Sequence, residues 1–324
     1  MRKIDVHAHL YDQRYIAELD RALEHYSTPR EGYVAAHHAR VKARPANWDV
    51  VERLGLMERL GVDYQVLSMS IPMTYEGDAP ARLRMAQISN DCFAATVEQH
   101  PDHFFAFATL PLPTIDESLV ELERCLDQLH MVGVCLGSNI RGMRLDDALL
   151  APLFEELDRR GTVIFLHPAI PVCSGPDLDA FNLSATLGYL FDTGVTVHRM
   201  ISSGMFERYR RLKVIVPHLG GMLPYVAGRS DASYRSNPSG SNIPEPPSTY
   251  LKRLYFDTIN FNPPSMRLAV EMFGADHLLL GSDYPLGSTG LEAAVQQIVD
   301  FGFSPEDEEQ VLGGNAIRLL DLPL

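Results

Sequence analysis

The sequence predicts an α/β fold, a single (β/α)8 TIM barrel over residues 1–324 with a long insertion after strand 1. Eight short, almost continuously apolar runs alternate with amphipathic stretches, and such runs are typical of parallel strands covered on both faces. Eight strands, each followed by a helix, is also the strand number of a closed barrel. An open, doubly wound sheet is the alternative, but the first strand-to-helix turn lacks that fold's usual glycine-rich phosphate loop.

The predicted strands and helices alternate regularly along the chain. The strands are residues 3–10, 63–70, 104–112, 132–139, 162–168, 213–220, 254–260 and 277–285. Helical periodicity is clear in residues 47–61, 116–130, 148–161 and 304–320. Apolar residues there recur every three or four positions, as at Leu119, Leu122 and Leu126, and Gly61 and Gly161 stand where helices commonly end.

Three of the predicted connections are too long for simple turns. They are residues 11–47, 169–182 and 230–249. Each follows the carboxyl end of a predicted strand, which is the face where barrels place their active sites. We therefore expect these segments to form a lid and the walls that determine specificity, with residues 11–47 as the lid.

The charge of the chain limits its partners. Asp and Glu number 42 and Lys and Arg number 28, which gives a formal net charge of -14. An acidic chain is not expected to bind nucleic acid or an anionic membrane surface non-specifically. A small anionic substrate is still compatible, because a metal ion or a few arginines reverse the sign of one pocket.

The cysteines and the N-terminal residues predict a cytoplasmic protein. Cys92, Cys125, Cys135 and Cys173 form no Cys-x-x-Cys pair, as expected for reduced thiols. We expect no secretory signal before the first strand, and no run of apolar residues in this sequence is long enough to span a membrane. Cys173 lies in the second long connection, and its role is left open.

Five polar residues stand at the carboxyl ends of four predicted strands. His7 and His9 end strand 1, and residues two apart in a strand point to the same face. His167 ends strand 5, His218 ends strand 6 and Asp283 ends strand 8. In a parallel barrel all five lie on one rim. Imidazoles with a carboxylate are ligands that suit zinc, manganese or iron(II).

Each of these signals alone has an ordinary structural explanation. A histidine before proline, such as His167, is more often structural, and the Ser-Asp-Tyr-Pro sequence around Asp283 is also a common turn. Their joint occurrence at four strand ends favours a shared metal site. The remaining histidines are expected to be solvated or packed. His37 and His38, in the first long connection, are expected on a loop surface, and contact with a substrate is left open.

The motifs IDVHAHL, FLHPAI, VPHLGG and LLGSDYP occur in this order. Together they resemble the amidohydrolase superfamily, and more specifically its aminocarboxymuconate-semialdehyde decarboxylase branch. The resemblance implies that His7, His9, His167 and Asp283 are the metal ligands. It also implies that His218 is a catalytic histidine beside the metal, which in that branch is usually zinc and sometimes manganese.

The number of metals follows from a departure from the wider superfamily. Members with two metals bridge them with a carbamylated lysine at the end of strand 4. Strand 4 of this sequence reads VGVCLGSN and contains no lysine. One divalent metal, zinc by expectation and manganese as the alternative, is therefore favoured.

Two arginines are candidates for substrate binding. The resemblance matches Arg44 to an arginine that grips the substrate carboxylate. It matches Arg229 to an arginine that one subunit inserts into the active site of its neighbour. A guanidinium binds a carboxylate through two parallel hydrogen bonds. The assembly expected from Arg229 is a homodimer or a dimer of dimers.

The predicted function is the metal-dependent, non-oxidative decarboxylation of a small aromatic or muconate-like carboxylic acid. Asp283 or His218 would supply the proton that replaces CO2. The alternative is a metal-dependent hydrolase of a lactone or a related ester or amide, with Asp283 as general base. A non-catalytic protein is less consistent with the sequence, since structural zinc sites are usually closed by cysteine and histidine in short loops.

Overall fold

An eight-stranded parallel sheet forms the centre of the protein, in a computed structural model that describes residues 2–24, 29–172, 178, 180–287 and 290–324. The strands are β1 (Ile4–His9), β2 (Tyr64–Ser68), β3 (Phe104–Ala108), β4 (Gly133–Gly137), β5 (Val163–His167), β6 (Lys213–Val216), β7 (Tyr255–Asp257) and β8 (Leu278–Leu279). Each strand pairs with the next in chain order. The amide of Val6 donates to the carbonyl of Leu280 at 2.9 Å, which joins β1 to the end of β8 and closes the predicted barrel.

Helices surround this sheet. They are α1 (Gln13–Ala22), α2 (Pro29–Lys42), α3 (Val50–Leu60), α4 (Ala79–Gln99), α5 (Ile115–Glu123), α6 (Ala151–Arg160), α7 (Tyr189–Ser202), α8 (Met205–Arg208), α9 (Leu223–Ser236), α10 (Pro247–Leu251), α11 (Pro263–Phe273), α12 (Gly290–Val299), α13 (Pro305–Glu309) and α14 (Asn315–Leu320). The predicted helix at 47–61 is confirmed as α3, which the Asp49 side chain caps and Gly61 ends at a φ of 62°. Within the described part of the chain, no helix has the length and apolar character needed to cross a membrane.

The barrel interior below the carboxyl ends of the strands is apolar. All six residues of β1 are buried. The rings of Phe107 and Phe165 stack with centroids 5.4 Å apart, and the ring of His7 lies 4.8 Å above Phe165. The polar groups at the top of the barrel therefore rest on a buried apolar layer, where electrostatic interactions are stronger than in solvent.

Strands β6 and β8 end earlier than the sequence predicts. β6 ends at Val216 and β8 at Leu279, so His218 and Asp283 lie in the loops that follow and not at the strand ends. Both residues have a left-handed backbone, with φ of 55° and 58°, and this conformation cannot continue a strand. The loops still bring both side chains to the predicted rim.

The loop after β8 lies unusually close to its neighbours. A Cβ atom on Gly281 would stand 2.7 Å from Cβ of Asp257 and 3.1 Å from Cβ of His7. Glycine is required here because any side chain would push the loop away from β1 and β7. The amide of Asp283 can then donate to the carbonyl of His7 at 2.8 Å.

The long insertion after β1 is mostly helical. It contains α1, α2 and a 3₁₀ turn at Pro45–Asn47. The expectation that His37 and His38 lie on a loop surface is wrong, because both belong to α2. His38 is buried, with Nε2 2.8 Å from Asp20 Oδ1. The third long connection is also shorter than predicted, since α9 continues to Ser236.

The described cysteines are free thiols, as the sequence predicts. Cys125 and Cys135 are buried and Cys92 is half-buried. Burial raises the pKa of the Cys92 thiol to about 11, so this thiol stays protonated at neutral pH. Cys173 lies outside the described residues.

Candidate active site

Four of the predicted side chains meet at the top of the barrel. His7 and His9 end β1, His167 ends β5 and Asp283 lies in the loop after β8. One donor atom from each residue lies within 4.8 Å of all the others. His7 Nε2 is 3.1 Å from His9 Nε2 and 3.4 Å from Asp283 Oδ1, and His9 Nε2 is 3.0 Å from Asp283 Oδ1. The predicted convergence of these four residues is therefore present in the structure.

Hydrogen bonds at the outer ring nitrogens fix the tautomers of two of these histidines. His7 Nδ1 donates to Asp257 Oδ2 at 2.7 Å, and His167 Nδ1 donates to the carbonyl of Pro168 at 2.9 Å. Carboxylate and carbonyl oxygens only accept, so each Nδ1 carries a hydrogen. In the neutral imidazole the Nε2 lone pair of each ring therefore points to the centre of the group.

His9 has the same arrangement. Its Nδ1 lies 3.1 Å from Ser68 Oγ, and this hydroxyl donates its own hydrogen to the carbonyl of Ala8 at 3.2 Å. His9 Nδ1 is therefore the donor to Ser68, and His9 Nε2 is left with a lone pair that faces inward. Three nitrogen lone pairs and one carboxylate oxygen converge, and this donor set fits one divalent metal ion.

The pKa values of the four residues in the metal-free protein also indicate that the group requires positive charge. Burial lowers the pKa of His9 to about 4. The pKa of His7 is instead raised to about 10. Burial opposes this rise, but the hydrogen bonds of His7 to Asp257 and Asp283 outweigh it. The pKa of Asp283 lies well below its usual range, because interactions with His218, His7 and His9 outweigh burial. A metal ion entering the group would displace the proton of His7.

His218 lies beside the four-residue group. Its Nε2 is 3.8 Å from Asp283 Oδ2, and its ring centroid is 5.4 Å from that of His7. Its Nδ1 is buried and has no hydrogen-bond partner among the described residues. His218 therefore lies beside the second carboxylate oxygen of Asp283, within the predicted rim, and its role in chemistry stays a prediction.

Asp257 is an important residue of this site that the sequence analysis missed. It ends β7, is fully buried and accepts the hydrogen of His7 Nδ1. It also accepts from the amides of Leu219, at 3.3 Å, and Ile259, at 3.0 Å. Asp257 thus orients His7 and anchors the loop that carries His218. An acidic residue at the end of the apolar run LYFDTIN was the signal that could have identified it.

A cavity of about 410 Å³ opens above the group. His167, His218 and Asp283 lie at its inner end, and α2 forms one wall through His37 and Arg40. The volume is in the range typical of sites for small organic ligands.

The hydroxyls of Tyr33 on α2 and Tyr189 on α7 lie 2.7 Å apart. This contact ties α2 to α7, whose Tyr189 also lines the cavity. Burial lowers the pKa of His37 to about 4, so its imidazole is neutral at pH 7.

The two predicted arginines have different positions. Arg44 lines the rim of the cavity and donates a hydrogen bond to the carbonyl of Pro285. Arg40, which the sequence analysis did not single out, lines the same cavity. Arg229 is exposed on α9 and lines a separate surface cleft with His198. Within one chain, Arg229 is therefore not brought to the cavity.

The chain is similar to known proteins along almost its whole length. The amidohydrolase family matches residues 4–322. A 2-amino-3-carboxymuconate-6-semialdehyde decarboxylase from Dictyostelium discoideum is 31% identical over 339 aligned residues, which cover 99% of this chain and 92% of that protein.

Two solved structures share the fold. A 5-carboxyvanillate decarboxylase from Sphingomonas paucimobilis is 27% identical, with a TM-score of 0.89 and 99% of both chains covered. A dihydroxybenzoic acid decarboxylase from Polaromonas sp. JS666, with bound manganese and 2-nitroresorcinol, is 24% identical. Its TM-score is 0.84, with 100% of this chain and 98% of that chain covered, and this likeness concerns the fold. The family match and the Dictyostelium relative establish that this chain belongs to the amidohydrolase family, and it resembles the decarboxylase branch that the sequence motifs indicate.

Proposed function

We propose that this chain is a mononuclear metal-dependent decarboxylase that releases CO2 without oxidation from an aromatic or muconate-like carboxylic acid. The observation that carries the proposal is the position of His218 and Asp283, which lie beside three convergent histidines and line the cavity above them. The decarboxylases reported above support it. No observation favours the hydrolase that the sequence left open.

The proposed metal ligands are His7, His9, His167 and Asp283. Zinc is the expected metal because imidazole and carboxylate are its usual ligands. Manganese is the alternative, and the manganese in the Polaromonas structure is a reason to test both. A divalent metal, when bound, supplies a fixed positive charge that stabilises the negative charge left on carbon as CO2 departs.

The chain's own residues have distinct roles in the proposed reaction. Arg44, at the rim, binds and orients a carboxylate of the substrate, and Arg40 adds a second positive charge to the same wall. The bond between the carboxylate carbon and the ring or chain carbon breaks, and its electron pair stays on that carbon. A proton supplied by His218 or Asp283 then replaces CO2 on that carbon. The helices of residues 11–47 act as the lid that excludes water.

We also propose that the chain forms a homodimer or a dimer of dimers through α7 and α9. These helices pack together, since Ser230 Oγ lies 3.0 Å from His198 Nε2. Phe191 on α7 and Tyr225 on α9 are 51% and 85% exposed, although both are large apolar side chains. A partner on this face would cover them, and Arg229 could then enter the partner's cavity.

The proposed setting is cytoplasmic, and the proposed small-molecule partner is a carboxylate. The net charge of -14 supports the absence of a nucleic-acid or anionic-membrane partner. The local charge of the cavity differs from that of the whole chain, because Arg40 and Arg44 line it and Asp283 is its one acidic residue among the described lining residues.

The first prediction concerns the metal. The purified protein should carry about one divalent ion per chain, as a single four-donor group requires. Substituting His7→Ala together with His9→Ala should abolish this content, measured by elemental analysis. The matched control is His100→Ala with His103→Ala, which removes two histidines far from the cavity and should leave the metal in place. Full metal content in the His7/His9 variant would show that the ion binds elsewhere.

The second prediction concerns the reaction and His218. The metal-loaded protein, given a panel of carboxylic acids and lactones, should release bicarbonate from an aromatic or muconate-like acid. His218→Asn should keep most of the metal and lose at least ~10²-fold in turnover, the usual scale for an acid–base group. His103→Asn, which changes an exposed histidine outside the cavity and outside the proposed α7–α9 interface, is the control and should stay active.

Two results would contradict the second prediction. Ring opening of lactones without release of CO2 from any acid would identify a hydrolase. A folded His218→Asn protein that has lost its metal would identify His218 as a ligand.

The third prediction concerns assembly. Arg229→Ala and the His7/His9 variant should each be nearly inactive alone. A mixed dimer places both lesions in one site and leaves the other intact, so random mixing should restore about a quarter of wild-type activity. Arg235→Ala, an exposed arginine on the same helix, should be active without mixing. If subunit exchange is shown by mass and no activity returns, Arg229 does not act across the interface.

A further inference from the structure

A fully buried arginine lies behind the four-residue group and has no role in the proposed chemistry. Arg53, on α3, is 1% exposed. Its Nη1 donates to Gln65 Oε1 at 2.9 Å, and its Nη2 donates to the carbonyl of His9. Its Cζ lies 4.7 Å from the ring centre of Tyr284, the residue after Asp283. One buried cation thus contacts the backbone of one proposed ligand and the neighbour of another.

Gln65 extends these contacts to a buried carboxylate. Gln65 Nε2 donates to Asp5 Oδ2 at 2.8 Å. Asp5 also accepts from the Ser282 hydroxyl at 2.6 Å, the Ser282 amide at 3.0 Å and the His7 amide at 3.1 Å. Four hydrogen-bond donors therefore converge on this one buried carboxylate. Asp5 therefore joins the backbone of β1, at His7, to the residue that precedes Asp283.

These three side chains form a continuous path, the Arg53–Gln65–Asp5 chain. Among the described residues, no carboxylate pairs directly with the Arg53 guanidinium, and the neutral Gln65 separates it from Asp5. Burial lowers the pKa of Arg53 to about 10, so the group is still charged at neutral pH. Burying an arginine and a carboxylate is costly, and apolar side chains of similar volume often stabilise a fold as well or better. Fold stability alone is therefore a weak explanation of why Arg53, Gln65 and Asp5 are buried together.

We infer that Arg53 is a positioning residue for the proposed metal site. Through Gln65 and Asp5 it fixes the spacing between the end of β1 and the loop after β8, and so sets the metal affinity of His7, His9 and Asp283. The inference rests on the proposed function, because it takes these residues as ligands. Groups that hold metal ligands in place typically change metal affinity or activity 10–100-fold when they are removed.

The test separates metal affinity from fold stability. Zinc dissociation constants are measured by competition with a chelator, and the thermal midpoint is measured on metal-free protein. Arg53→Met and Gln65→Met should each weaken zinc binding roughly 10–100-fold, and Arg53→Lys should fall between Arg53→Met and wild type because it keeps the charge.

The control is Arg124→Met. Arg124 is a partly buried arginine that bonds Glu121 at 2.7 Å, away from the cavity. This variant should lower the thermal midpoint without changing the zinc dissociation constant.

Wild-type zinc affinity in both Arg53→Met and Gln65→Met would overturn the inference, whatever their midpoints. If Arg53→Met does not fold, the zinc affinity of Gln65→Met tests the inference instead. This variant is expected to fold because it keeps the hydrogen bond from Arg53 to the carbonyl of His9. A wild-type protein that binds zinc tightly but releases no CO2 would contradict the proposed function and leave the inference about Arg53 standing.

Discussion

Four electron-rich atoms held within 4.8 Å of one another are the constraint on which the rest of the structure depends. The lone pairs of His7, His9 and His167 and the carboxylate of Asp283 repel one another in a buried site unless positive charge lies between them. In the metal-free chain a proton on His7 supplies that charge, since its hydrogen bonds raise its pKa to about 10 against the effect of burial. A divalent cation would supply two positive charges among these four atoms, and its binding would release the proton of His7.

The barrel is what makes this crowding possible. Its closure brings β1 and the loop after β8 together, and Gly281 allows an approach that a side chain would prevent. Asp257 then holds His7 from behind, and Asp5 ties the amide of His7 to Ser282. The groups that carry the proposed chemistry are therefore held by buried, hydrogen-bonded carboxylates. Rigid support of this kind keeps ligands in geometry that a metal requires.

The sequence predicted the parts of this design that depend on local pattern. The apolar runs indicate buried parallel strands, and the spacing of His7 and His9 places them on one face because strands repeat every two residues. The strand ends of a barrel lie on one rim, so His167 and Asp283 could be added from topology alone. The resemblance to a family supplied the roles of these residues.

The parts that were missed depend on contacts between distant segments. Asp257 bonds His7, which is 250 positions away in the sequence. The residues next to Asp257 in the sequence do not indicate this partner. Arg53 lies in an amphipathic helix, where an arginine ordinarily faces solvent, yet it is fully buried. Arg40 lines the cavity because the insertion folds into a helix, a conformation that its weak periodicity did not predict. Local pattern thus identified the four converging donor residues and left out the residues that support them.

The most direct test of the central claim is an anomalous diffraction map of crystals loaded with zinc or manganese, recorded at the absorption edge of the metal. A single peak among Nε2 of His7, His9 and His167 and an oxygen of Asp283 is the predicted result. A peak elsewhere in the chain, or none among these four side chains at full metal loading, would contradict it.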